Sequence, residues 1–164
     1  MSEPSVRLVA AGESALLVPL IAGFRDQLRE SRPSDAEIAA FLPGFLRDPS
    51  IEFACASLDG RPVGYTQTRF FDSVWSLGIE SHLEDLFVVE SARRSGAGRA
   101  LLRAALERAR VRGARAMGLN TNEHNEAAQA LYRAEGFRPV AHARYPGGRE
   151  VLWGRSFESS GARE

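Results

Sequence analysis

The chain has 164 residues, 44% hydrophobic and 26% charged, with 21 basic residues set against 21 acidic ones. That length fits a single domain, expected over residues 1–157, with residues 158–164 as a loose tail. A formal charge of zero excludes a global field that would recruit nucleic acid or an anionic membrane.

No apolar run approaches the roughly 20 residues that a membrane span needs. The N-terminus has no basic region followed by a long apolar stretch, so no secretory signal is read and a cytoplasmic location is expected. Cys55 is the single cysteine, which rules out an intrachain disulfide or a multi-cysteine metal site and reads as a small core residue. His82, His124 and His142 have no ligand spacing, so no metal is expected. Every basic residue is arginine.

In chain order, residues 6–10 predict a short strand and residues 12–30 an amphipathic helix with an apolar face of Leu16, Leu17, Leu20, Ile21, Phe24 and Leu28. A second helix starts at a cap on Ser34, with Glu37 three residues on, and ends near Pro49. Residues 51–58 and 62–71 are runs of strand formers parted by Asp-Gly-Arg, a hairpin signal. Residues 72–82 read as a looser segment, and 83–89 as a strand. A helix follows from Gly96 to about Arg112, with Leu101, Leu102, Ala105, Leu106 and Ala109 as its stripe and Gly113 as its stop. Residues 115–121 form a further strand, 123–135 a helix ended by Gly136, and 137–145 with 149–157 a closing hairpin. Strands and helices mix without strict alternation, which favours an α+β layer architecture.

The stretch of residues 83–106 runs from strand through a glycine-bearing turn into a helix. Unpaired amides and the helix dipole make such a turn a ready anion site. A dinucleotide fingerprint would need a small residue where Leu101 stands, and a P-loop would need a lysine. What remains is Arg93-x-x-Gly96-x-Gly98.

Here the chain resembles the GCN5-related N-acetyltransferase (GNAT) superfamily, whose acetyl-CoA pyrophosphate motif reads Gln/Arg-x-x-Gly-x-Gly/Ala. Downstream, Asn125, Ala128, Tyr132, Gly136 and Phe137 stand on the positions of the superfamily signature Asn-x-x-Ala-x-x-x-Tyr-x-x-x-Gly-Phe. Upstream, Leu-Glu-Asp-Leu-Phe-Val at 83–88 is similar to the strand of the diamine (spermidine/spermine-type) branch. The resemblance implies a mixed, mostly antiparallel central sheet with helices on both faces, of class α/β (α+β). It also implies transfer of acetyl from acetyl-CoA to a primary amine, a small amine or polyamine first, in a direct ternary complex.

Such a reaction must take a proton from an ammonium that is only about a thousandth deprotonated at neutral pH, and must stabilise the leaving thiolate. The resemblance implies Glu84 as the base and Tyr132 as the donor to sulfur. The pantetheine arm would pair with the backbone around Phe87, Val88 and Val89. The pyrophosphate would sit on Arg93, Arg94, Ser95, Gly96, Ala97, Gly98 and Arg99, with Asn125 and Ala128 completing the cofactor site. Read from the residues alone, the structural alternatives are Glu84 as a solvated strand carboxylate, Tyr132 as a core aromatic and Asn125 as a helix cap. Asp85 falls on the opposite strand face from Glu84, as a backup base or structural partner.

The acceptor is expected to meet the first two helices and residues 69–82, where Asp72, Trp75, Glu80 and His82, with Glu84, pair acidic groups with an aromatic in a way that suits a cation. His82 and Glu84 share a face and could relay a proton. An amino acid, an aminoglycoside or a protein N-terminus are the other acceptors considered, and a non-catalytic acyl-CoA sensor the rival class. The partners expected are acetyl-CoA and a small amine, with no nucleic acid or membrane, and a second copy of the chain in a homodimer.

Overall fold

The computed structural model describes residues 2–145 and 148–157; the expected tail at 158–164 lies outside them. In chain order come β1 (Ser5–Leu8), α1 (Ser14–Gln27), α2 (Asp35–Arg47), β2 (Ile51–Leu58), β3 (Arg61–Ser73), β4 (Gly78–Val88), a 3-10 turn (Glu90–Ala92), α3 (Ala97–Val111), β5 (Ala116–Asn122), α4 (Glu126–Ala134), β6 (Arg138–Tyr145) and β7 (Gly148–Ser156). The strands form one seven-stranded sheet in the order β1-β2-β3-β4-β5-β7-β6. β4 and β5 are parallel, while β1 with β2, β2 with β3, β5 with β7 and β6 with β7 are antiparallel. This is the expected mixed, mostly antiparallel sheet.

Residue contacts divide the chain into two compact units, Met1–Arg69 with Asp85–Ala105, and Phe70–Glu84 with Leu106–Glu164. In the first, β2 is covered on both faces. Phe53 and Cys55 join Leu17, Leu20, Ile38, Leu42, Tyr65 and Phe87 in one cluster, while Ala54 and Ala56 join Val63, Ala92, Ala97 and Leu101 in another. A strand buried on both faces reads as a continuous apolar run, as this one does. Large residues on the α1–α2 side and alanines on the α3 side set how closely each layer approaches. The Cys55 thiol is buried there as a packing group, and burial pushes its pKa up.

The cap predicted at Ser34 forms a full capping box, Ser34 Oγ accepting from the Glu37 amide and the Glu37 carboxylate from the Ser34 amide. Pro19 and Pro43 both sit inside their helices.

In the second unit α3 and α4 end alike. Gly113 and Gly136 have φ of +75° and +88°, and the next residue reaches back, Ala114 to the Ala109 carbonyl and Phe137 to the Tyr132 carbonyl. This is the Schellman arrangement, for which glycine pays no Cβ penalty.

One expectation is corrected. Residues 72–82 are not loose: β3 runs to Ser73 and β4 begins at Gly78, leaving only residues 74–77 as a turn, with Leu77 at φ +51°. The Asp, Ser and Gly content there imitates a loop, but ladder pairing carries strand geometry through polar residues on half-exposed strands.

Candidate active site

The turn between β4 and α3 is shaped by its backbone. The Val89 amide donates to the Val63 carbonyl at 2.9 Å, and the 3-10 turn closes through Ala92 to Val89 and Arg93 to Glu90. Arg94 and Gly96 then take left-handed φ values of +65° and +91°. For a non-glycine residue such as Arg94 that conformation costs about 1–2 kcal/mol. Ser95 Oγ donates to the Ala92 carbonyl at 2.7 Å and accepts from the Ala97 amide at 3.3 Å, so it caps the start of α3. The helix N-terminus behind that cap is the end that favours an anion.

The arginines of the turn differ in use. Arg93 Nη2 donates to Gln27 Oε1 at 2.5 Å and its Nε to the Val88 carbonyl at 3.4 Å, so this guanidinium braces α1. Arg93, Arg94 and Ser95 also line a cavity of about 680 Å³ together with Asp59, Arg61 and Ser91. Arg61, from the Asp-Gly-Arg turn, was not among the expected site residues. Its signal was spatial, since only the β2–β3 hairpin brings it to the turn. Left-handed backbone, a capped helix start and clustered guanidinium groups fit a pyrophosphate.

In the second unit, each residue of the signature on α4 has a local task. Asn125 is the N-cap, its Oδ1 accepting from the Ala128 amide at 3.2 Å, so the cap reading holds for its oxygen and the side-chain amide nitrogen is the group that could serve a ligand. Gly136 turns the chain so that Phe137 packs on Tyr132, ring centroids 6.0 Å apart, with Trp153 at 6.4 Å. Tyr132 is 7% exposed, and burial pushes its phenol up to about 12. The hydroxyl therefore keeps its proton across the physiological range, as a donor requires.

β4 carries Glu84 and Asp85 on opposite faces. Leu83 and Phe87 are buried with Asp85 half-buried between them, whereas Glu84 is exposed. Asp85 Oδ2 accepts a hydrogen bond from the Tyr65 hydroxyl at 3.0 Å. Burial first, then the Asp85 charge, holds that phenol far above its ordinary pKa, so Tyr65 stays a donor. Asp85 also lines a cavity of about 700 Å³ whose walls come from α1, α2, β2 and β3, Phe41, Phe45 and Phe53 among them.

The acceptor residues expected from residues 69–82 are dispersed. Asp72 is exposed near the end of β3, Trp75 is 94% exposed in the turn, and Glu80 and His82 are half-buried on β4. None of them lines either cavity. His82 stands opposite Gly118 in the β4–β5 register, where an added Cβ would lie 3.2 Å from its Nδ1, so the glycine makes room for the imidazole. The cavity residues of α2 were legible only as a helix face, and Tyr65 carried no motif at all. Among the described residues no group of His, Cys, Asp and Glu side chains could hold a metal ion, and no helix is long and apolar enough to cross a membrane.

Comparison with known proteins bears on this geometry. Over 134 residues the chain is 34% identical to an uncharacterized N-acetyltransferase, YhfO, of Bacillus subtilis, covering 81% of this chain and 89% of that one. It is 35% identical over 112 residues to aminoglycoside N(6')-acetyltransferase type 1 of Klebsiella aerogenes, covering 66% and 73%. An acetyltransferase of the GNAT family from Streptococcus pneumoniae superposes with a TM-score of 0.74 at 20% identity, over 95% of this chain and all of that one, a likeness of fold. Residues 18–137 match the acetyltransferase (GNAT) family, which places the turn, the α4 signature and both carboxylates inside the matched span. The chain therefore belongs to the GNAT family and is an acetyl-CoA-dependent N-acetyltransferase.

Proposed function

We propose that the acceptor is a small primary amine, polyamines included, and that Glu84 and Tyr132 carry the proton transfers. Acetyl-CoA supplies an acyl thioester, whose carbonyl the neutral amine attacks. The observation that carries the cofactor side is the turn itself, with left-handed φ at Arg94 and Gly96 ahead of a capped helix start. In this reading the residues at 93–99 hold the pyrophosphate, the Asn125 amide and the α4 start at Ala128 meet the cofactor arm, and the β4 backbone from Phe87 to Val89 pairs with that arm. Support for the last comes from the β4–β5 register, which runs from Ser81↔Met117 to Leu83↔Leu119 while β4 continues to Val88.

Tyr132 gives its proton to the departing sulfur. A buried phenol with a raised pKa is a weaker acid than a free tyrosine, but it stays protonated and so is always available to hydrogen-bond the thiolate formed beside it and pass it the proton. Glu84, exposed, takes the amine proton directly or through water, with His82 on the same strand face as relay. Asp72, Trp75 and Glu80 act on the approach of the amine rather than at the reacting atoms. We assign the activity to a single domain over residues 1–157. A second reading, an aminoglycoside acceptor, draws support from the Klebsiella aerogenes relative.

The test is acetyl-CoA-dependent thiol release across small amines, polyamines, amino acids, aminoglycosides and N-terminal peptides. The proposal expects turnover with a small amine, and Glu84→Gln should depress kcat by about tenfold or more, most at low pH where proton removal is hardest. Turnover confined to peptides would refute it, as would a Glu84→Gln enzyme of undiminished rate.

A further inference from the structure

We propose that Arg61, on the β2–β3 hairpin, receives the 3′-phosphate of the cofactor, so that the cavity beside the β4–α3 turn makes the enzyme selective for CoA over its 3′-dephospho form. This rests on the cofactor reading of residues 93–99 above and extends it to a residue outside the Arg-x-x-Gly-x-Gly motif.

The cavity, about 680 Å³, falls in the usual range of small-molecule sites, roughly 300–1,000 Å³. One wall is the turn itself, from Ser91 to Ser95, and the other is the hairpin, with Asp59 and Arg61. Main chain holds the two walls together, the Val89 amide donating to the Val63 carbonyl at 2.9 Å. Leu58 and Arg61 pair across a two-residue turn in which Asp59 and Gly60 take left-handed φ values of +49° and +75°, the geometry that tight hairpins favour. The hairpin therefore fixes where the Arg61 side chain starts.

The charged groups divide the work. Arg93 is committed to Gln27 and the Val88 carbonyl. Arg61 and Arg94 are exposed and, among the described residues, make no hydrogen bond or ion pair. Asp59 accepts from the Ser2 hydroxyl, and three lining guanidinium groups against that carboxylate leave the cavity positive. In the reading above the pyrophosphate sits at the capped start of α3 and the uncharged pantetheine arm lies along β4. A positive cavity that begins at Ser95 and ends on Arg61 matches the remaining, adenosine end of the cofactor. Its 3′-phosphate is a monoester, which gains a second charge near pH 6. A dianion suits two free guanidinium groups, whose planar forks fit phosphate oxygens. Leu58, Val63 and Ala92 add apolar surface of the kind an adenine ring covers.

The test is calorimetric binding of CoA and 3′-dephospho-CoA with no amine present, so the identity of the acceptor has no part in it. Wild type should bind CoA at least about tenfold more tightly, as one charge-assisted contact implies. That gap should shrink as salt is raised and narrow again as the pH falls through about 6. Arg61→Ala should weaken CoA by about tenfold and leave 3′-dephospho-CoA unmoved, and Arg61→Lys, which keeps the charge without the fork, should restore part of the loss. Equal affinity of wild type for the two forms would overturn the inference while the assignment of the turn stands. An Arg61→Ala loss of the same size for both forms, the mark of a merely structural residue, would overturn it as well. Binding of neither form would overturn the inference together with the cofactor reading of the turn.

Discussion

The turn ahead of α3 and the cavity beneath α2 belong to the same compact unit, yet they are made of different material. The turn works through main chain: left-handed φ at Arg94 and Gly96 and a serine cap within a few consecutive residues. The cavity works through side chains drawn from α1, α2, β2, β3 and β4, with its charge held by Tyr65, twenty positions before Asp85. A backbone device tolerates side-chain change and fails when φ is denied to it. A side-chain device should respond in the opposite way.

The largest expected effect comes from a side chain. Tyr132→Phe removes one oxygen and leaves the ring against Phe137 and Trp153, so kcat should fall on the order of 10²-fold with acetyl-CoA affinity unchanged in calorimetry. An equal loss in cofactor affinity would mean that the hydroxyl binds the cofactor.

Next comes the turn. At Gly96 an added Cβ would meet nothing closer than Pro4 Cγ at 3.9 Å, so Gly96→Ala tests conformation alone. Forcing an L-residue to φ +91° costs about 1–2 kcal/mol, and acetyl-CoA should bind about tenfold more weakly while KM for the amine moves little. Unaltered cofactor affinity would break the claim that backbone shape makes this site.

Smaller still is Tyr65→Phe. It takes the hydrogen bond from Asp85 and keeps the packing with Phe53 and Phe24. One such bond is worth about 1 kcal/mol, so the free energy of unfolding should fall by about that much and acetyl-CoA affinity should hold. If cofactor affinity falls as well, the two regions are coupled in a way the comparison denies.

The same contrast explains what could be read in advance. Gly96, Gly113 and Gly136 announce their turns because a left-handed backbone selects glycine locally, and Asn125, Tyr132 and Phe137 sit at spacings fixed by one helix and its Schellman end. Asp85 was separated from Glu84 by strand alternation alone, but nothing local distinguishes which face of β4 meets a cavity. That depends on Tyr65 and Phe53 arriving from other strands. Residues 72–82 misled because turn-forming residue types occur inside paired strands, where the ladder overrides local preference. Arg61 escaped notice for a related reason, its role set by a hairpin rather than by its neighbours in sequence.

The smallest expected effect is a flat line. Burial penalises the phenolate of Tyr132 and carries its pKa up to about 12, so the donor keeps its proton as the pH rises. Wild-type kcat should therefore show no alkaline descent from this group up to about pH 10.5, although an ordinary tyrosine near 10 would already be mostly ionised there. The acidic limb, by contrast, belongs to the amine and its base, and Tyr132→Phe should lower the whole curve without moving that limb. A wild-type descent centred near pH 10 that vanishes in Tyr132→Phe would show the hydroxyl to be solvated rather than buried. Tyr132 would then be an ordinary surface acid, and the packing of Phe137 and Trp153 around it would have no part in keeping the donor loaded.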